Sequence, residues 1–120
     1  MIEGMINDKG APVIPFRIGG DDWLAVIDTG FNGGLQLPAA LASQIDAEPF
    51  GHVKSRLATG IVVREEVFLV EIEFDGRTVF PPATFSDVEL VLIGTRLLRN
   101  HRLEIDFPAG IVRLTKARKD

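Results

Sequence analysis

Apolar residues occur in short runs along the chain, and glycine, proline, asparagine or aspartate separates one run from the next. Short runs rich in β-branched and aromatic residues, bounded by turn residues, are typical of β-strands. The Asp75-Gly76 pair between two such runs predicts a tight hairpin. The pattern predicts strands at residues 13–18, 23–27, 34–37, 53–57, 61–68 (continuing as 67–74), 77–80, 90–93, 103–107 and 111–115.

Two segments have helical rather than strand character. Pro38 precedes an Ala- and Leu-rich stretch over residues 39–45, and proline at a first helical position favours a helix start. Residues 95–100 predict a second short helix, with Thr95 or a neighbour as its cap. Many short strands with one or two short helices predict an all-β sandwich or barrel.

Composition sets limits on the class of protein. A chain of 120 residues with 46% hydrophobic and 25% charged residues predicts one globular domain over residues 1–120, with a frayed tail at residues 116–120. The net charge of −4 argues against nucleic acid as a partner. The apolar runs are too short to cross a membrane, and no signal peptide is predicted. With no cysteine, thiol catalysis and disulfides are excluded, and we expect the cytoplasm as the location.

One carboxylate follows an apolar run directly. Residues 24–27 are Leu-Ala-Val-Ile, and Asp28, Thr29 and Gly30 come next. A carboxylate so close to a buried strand requires a hydrogen-bond or charge partner, or a proton. The Thr29 hydroxyl can donate a hydrogen bond, and Gly30 allows a close backbone approach or a positive φ. These residues are therefore a plausible site for a tuned carboxyl group, although Asp-Thr-Gly is also a common sequence for an ordinary turn.

Other kinds of site find less support in the sequence. Gly30, Gly33 and Gly34 lack the following Lys-Ser or Lys-Thr of a phosphate-binding loop. His52 and His101 lie on separate segments and no carboxylates have ligand spacing, so we expect surface histidines, no metal site and no cofactor.

Residues 26–30, Val-Ile-Asp-Thr-Gly, resemble the active-site signature of the retropepsin-like aspartic proteases. Residues 90–94, Leu-Val-Leu-Ile-Gly, resemble the apolar segment that lies beside the catalytic loop in that family. Residues 58–60, Ala-Thr-Gly, lie between two predicted strands, where the family has its flap. The resemblance extends roughly over residues 14–114 and is greatest to small bacterial members. It implies the small closed β-barrel of one retropepsin subunit.

The resemblance also implies a function, which is hydrolysis of peptide bonds by a water activated between two aspartates. Asp28 would be general acid and base, Thr29 would hydrogen-bond across a two-fold axis, and Gly30 would lie near a peptide or protein substrate. Because the chain has one Asp-Thr-Gly, the second Asp28 would come from a second subunit of a homodimer. The flap would comprise Ala58, Thr59 and Gly60, and the structural segment beside the site Leu92, Ile93 and Gly94.

The chain departs from retroviral members in two places. Phe31 and Asn32 replace the usual small and acidic residues after the glycine, and Phe31 would either narrow a substrate pocket or turn into the core. Thr95 follows the late glycine where retroviral members have arginine, and Arg96 comes one position later. Two alternatives therefore stay open. One is a catalytically inactive relative that dimerises or binds peptides, and the other is a β-barrel binding module with a coincidental turn.

Overall fold

The computed structural model describes residues 1–117 and confirms an all-β fold. Two short helices accompany the strands in this part of the chain, a 3-10 helix and one α-helix, α1. The strands are β1 Ile2–Ile6, β2 Pro12–Ile18, β3 Asp21–Ile27, β4 Leu35–Pro38, β5 Ala47–Arg56, β6 Val62–Val70, β7 Ile72–Phe74, β8 Arg77–Val79, β9 Pro82–Ser86, β10 Leu92–Ile93, β11 His101–Asp106 and β12 Ile111–Lys116; the 3-10 helix is Ala39–Ser43 and α1 is Thr95–Leu98.

Ten of the strands form one sheet, and β7 and β8 form a separate hairpin. The order in the large sheet is β11-β12-β1-β2-β3-β10-β4-β9-β6-β5. Most neighbours are antiparallel, but β10 is parallel to β3, and β9 is parallel to β4. Within residues 1–117 the large sheet is open, with β11 and β5 as its two edge strands. The strand pairing therefore does not close into the predicted barrel.

The predicted continuous strand over residues 67–74 is divided in the structure. β6 ends at Val70, whose N–H donates to Pro81 O at 3.2 Å, and the chain passes through exposed Glu71 into β7. Pro82 starts β9, a strand that was not predicted, and lies opposite Leu69 of β6. A proline is tolerated there because the first residue of a strand can lack a ladder donor.

Both helices are shorter than predicted. The 3-10 helix ends at Ser43, two residues before the expected end, and α1 ends at Leu98 rather than at residue 100. The N-cap of α1 is Gly94, the neighbour of Thr95 and so within the predicted position, but no side chain caps the helix. Backbone carbonyls of Phe31 and Gly33, in the loop that follows β3, accept from the first N–H groups of α1.

The core lies on the inner face of the large sheet and fixes β3, β4 and β10 in place. Burial of a Leu, Ile or Val side chain contributes about 1.5–3 kcal/mol, so this cluster is the main source of stability. Its most deeply buried members include Ile14, Leu35, Leu37, Ile93 and Leu114.

The last described residues are held against the sheet by backbone pairing. Lys116 closes β12 opposite His101, and Ala117 N–H donates to Asn100 O at 2.7 Å. The rest of the predicted frayed tail, residues 118–120, lies outside the described residues. Neither helix in residues 1–117 has the length and apolar character needed to cross a bilayer.

Candidate active site

Asp28 is placed by a strand that has neighbours on both sides. β3 pairs with β2 from Asp21 to Val26 and with β10 at its end, where Ile93 lies opposite Ile27. The Asp28 N–H continues this pairing by donating to Ile93 O at 3.0 Å. Ile27 is buried and Asp28 is half-buried, so the carboxylate lies where the core meets the surface.

The Asp28 side chain is oriented by its own turn. Oδ1 accepts a hydrogen bond from Gly30 N–H at 2.9 Å, and Asp28 O accepts from Phe31 N–H at 3.1 Å. Thr29, the residue between Asp28 and Gly30, is exposed. Gly30 does not have a positive φ, so its role is the N–H it presents to the carboxylate. The turn holds one carboxylate oxygen and leaves the other for solvent or a ligand.

Gly94 packs against the loop that follows Asp28. A Cβ at this position would overlap Gly33 O and would lie 2.7 Å from Phe31 O, and neither backbone atom can move aside easily. The Gly94 N–H donates to Gly34 O at 2.9 Å. The N–H groups of Thr95 and Arg96 donate to Phe31 O and Gly33 O at 2.9 and 3.2 Å.

Leu92 and Ile93 complete this support, since β10 lies between β3 and β4 and pairs with both. Ile93 is fully buried and Leu92 is half-buried. These two residues and Gly94 lie beside the Asp28 loop, which is where the sequence analysis placed them. Their contacts keep the carboxylate in one place relative to the sheet.

A groove of about 670 Å³ adjoins the loop. Phe31 and Asn32 form part of one wall, so Phe31 turns toward the groove and not into the core. The hairpin of β5 and β6 forms another part of the lining, the hairpin wall, and β9 contributes Pro82, Ala83 and Thr84. The charged or titratable side chains among the lining residues are His52, Glu65 and Arg96.

The predicted flap residues lie at the tip of the β5–β6 hairpin. Ala58, Thr59 and Gly60 are exposed, and Gly60 has a φ of +88° in the tip turn. The turn is closed by Leu57 N–H donating to Ile61 O at 2.8 Å. These three residues do not line the groove, and neither does Asp28. The structure therefore brings Phe31 and Asn32 to the groove but leaves the flap tip beyond it.

Sequence reasoning missed the residues that form the hairpin wall. His52 is exposed, as predicted, and it lines the groove together with Glu65. Alternation would have placed Glu65 and Val67 on one face of β6. No local sequence pattern indicated that Pro82, Ala83 and Thr84 would line the groove, because their position depends on the parallel pairing of β9 with β4.

Comparison with protein-family models gives no match, and comparison with curated proteins gives none either. Solved structures do match. A retropepsin-like aspartic protease from Rickettsia conorii is 16% identical, with a TM-score of 0.69, over 96% of this chain and 89% of that one. The simian foamy virus (mac) protease is 18% identical, with a TM-score of 0.58, over 72% of this chain and 91% of that one.

A larger protein contains a similar part. The foamy viral protease-reverse transcriptase, solved with double-stranded DNA, is 18% identical with a TM-score of 0.60, over 78% of this chain and 16% of that one. Identities this low show the fold and leave the activity open. The chain has the fold of the retropepsin-like aspartic proteases.

Proposed function

We propose that this protein is an aspartic endopeptidase whose active site forms between two copies of the chain, each contributing Asp28. The observation that carries the proposal is the position of Asp28. It directly follows β3, whose last residue Ile27 is buried, in a fold shared with aspartic proteases, and Gly30 N–H donates to its carboxylate. A groove large enough for several peptide residues adjoins the same loop.

The chemistry requires two carboxyls with one proton between them. The ionised Asp28 takes a proton from a bound water, and the water oxygen bonds to the peptide carbonyl carbon. The protonated Asp28 of the second subunit gives its proton to the carbonyl oxygen, which yields a gem-diol. The C–N bond then breaks as the first carboxyl protonates the nitrogen and the second takes a hydroxyl proton. Both carboxyls return to their starting states.

The sequence and the surface around Asp28 support the proposal of a second subunit. Asp-Thr-Gly occurs once in the chain. Leu24, Val26 and Asp28 lie on one face of β3, because side chains alternate along a strand. Leu24 is 51% exposed and Val26 is half-buried, which gives an apolar surface leading to the carboxylate. A second copy packed on this surface would bury it and bring the two carboxyls together.

The remaining roles are proposed from the family resemblance. Thr29 is exposed next to Asp28, where its hydroxyl can hydrogen-bond to the second subunit. Gly30 presents backbone close to the reacting carbonyl. The tip residues Ala58, Thr59 and Gly60 close over a bound peptide and exclude water. An extended peptide in the groove pairs with backbone groups of the hairpin wall, and Phe31 and Asn32 contact its side chains.

The direct test is Asp28→Asn. Asn Oδ1 can still accept from Gly30 N–H, so the turn and the fold persist while proton transfer is lost. We expect kcat on a cleaved peptide to fall about a thousandfold or more, with an unchanged sedimentation coefficient. Asp106→Asn is the matched control, since Asp106 also ends a strand and accepts a backbone N–H, that of Ala109 at 3.1 Å.

Two results would reject the proposal. Cleavage that survives in Asp28→Asn would assign the activity to another group or to a contaminant. A wild-type dimer that cleaves nothing in a broad peptide library would favour the inactive peptide-binding alternative.

A further inference from the structure

A second pocket of about 310 Å³ continues from the groove on the side of α1. The two spaces share three lining residues, Phe50, Pro82 and Arg96. Arg96 stands at the junction, and its backbone N–H is fixed to Gly33 O in the loop after Asp28. A chain lying in the groove would therefore meet this second pocket at one end.

The second pocket is lined by positive charge. Four cationic side chains contribute to it, Arg77, Arg96, Arg99 and Lys116, although the whole chain has a net charge of −4. Among residues 1–117, none of the four lies within 4 Å of a carboxylate. Within residues 1–117, no ion pair neutralises any of these four charges.

The only acid in the lining has a partner. Asp75 lies in the turn between β7 and β8, and its Oδ2 is 3.2 Å from Nε2 of His101, whose side chain is only 8% exposed. Apolar side chains such as Phe74, Val79 and Leu97 form the rest of the wall. A low-polarity wall strengthens the attraction between an anion and the guanidinium groups.

We propose that this pocket binds an acidic side chain of the substrate peptide, so that the enzyme prefers Asp or Glu at one position beyond the groove. The inference rests on the proposed endopeptidase function and names a substrate class for it. Arginine suits the task because its planar guanidinium binds a carboxylate through two hydrogen bonds. In a symmetric dimer the pocket occurs twice, once toward each end of the cleft, so the preference applies on both sides of the cleaved bond.

The first arm of the test is a peptide library digested by the wild-type protein. We expect Asp and Glu to be enriched at one position on each side of the cleaved bond, where the peptide meets each copy of the pocket. A Glu-containing substrate and its Gln counterpart are then compared in the double variant Arg77→Gln/Arg99→Gln. We expect kcat/KM to fall about fivefold for the Glu peptide and to stay within about twofold for the Gln peptide.

The matched control removes two charges elsewhere. Arg102 and Arg113 are exposed on β11 and β12 and line neither space, so Arg102→Gln/Arg113→Gln should retain the preference. Equal losses in the two double variants would mean a general effect of net charge and would overturn the proposal. Cleavage without acidic enrichment would overturn it too, while leaving the endopeptidase function in place.

The second arm measures binding without cleavage. Amide NMR spectra of the Asp28→Asn protein are recorded with alanine hexapeptides carrying Glu or Gln at each position in turn, and with inorganic phosphate. A Glu peptide that shifts Arg96, Arg99 and groove signals together, more strongly than its Gln counterpart, supports the proposal. Shifts from phosphate alone would identify a small-anion site and overturn it. Because this arm needs no turnover, it separates failure of the pocket from failure of catalysis.

Discussion

The Asp28 loop and the β5–β6 hairpin border the same groove but are built differently. The loop is enclosed by β10, by the start of α1 and by buried glycines, and its neighbours Leu35 and Ile93 are fully buried. The outer part of the hairpin is held mainly by its own ladder, and Ile61 and Val62 are 60% and 50% exposed. Under the proposed function this contrast would suit catalysis, because a reacting group has to stay fixed while a cover has to open and close.

The largest effect on the rigid region is expected from Gly94→Ala. The added methyl group meets backbone atoms at Gly33 and Phe31, so the loop after Asp28 has to move. We expect the free energy of unfolding to fall by about 3 kcal/mol, measured by urea denaturation, and catalysis to be lost with it. A stable and active Gly94→Ala protein would show that the Asp28 loop does not depend on this contact.

A pH profile separates the contributions of the two regions. If two carboxyls share one proton, kcat rises and then falls with pH, with limbs of about tenfold per pH unit on the acidic side of neutral. The hairpin wall carries its own titratable groups, His52 and Glu65. His52→Gln should change KM while both limbs of the kcat profile remain. A profile that is flat from acidic to alkaline pH would contradict the shared proton.

The smallest effect on stability is expected at the hairpin tip. In Gly60→Ala the new methyl group meets no atom within 4 Å, so the penalty comes from the φ of +88° alone. We expect a loss of about 1 kcal/mol in the free energy of unfolding and a rise in KM of a few fold, because the tip turn has to adjust as it closes. A loss as large as that of Gly94→Ala would remove the difference between the regions.

The sequence was informative where the signal was local. The apolar run before Asp28, the hairpin around residues 58–60 and the segment ending at Gly94 each showed their strand and turn character directly. Their arrangement beside one another came from the resemblance, and the structure places the segment ending at Gly94 against the Asp28 loop.

The parts that the sequence did not predict depend on distant pairing. The division of residues 67–74 arises because Val70 is the last residue of β6 that pairs with a neighbouring strand. The chain then enters the separate β7–β8 sheet. The strand character of residues 82–86 comes from contacts with β4 and β6 and not from its own sequence, which begins with a proline. The second pocket combines cationic side chains from β8, α1 and β12. These residues are far apart along the chain, so no sequence pattern indicates that they meet.

The central claim is that two subunits share one active site, and subunit mixing tests it most directly. Wild-type and Asp28→Asn chains are unfolded together in equal amounts and refolded, and native mass spectrometry verifies that mixed dimers form. If each site needs both Asp28 carboxyls, activity per total protein falls to about a quarter of that of the wild type, since only that share of dimers has two wild-type subunits. A fall to about one half would mean that each subunit acts alone, and the account would be wrong.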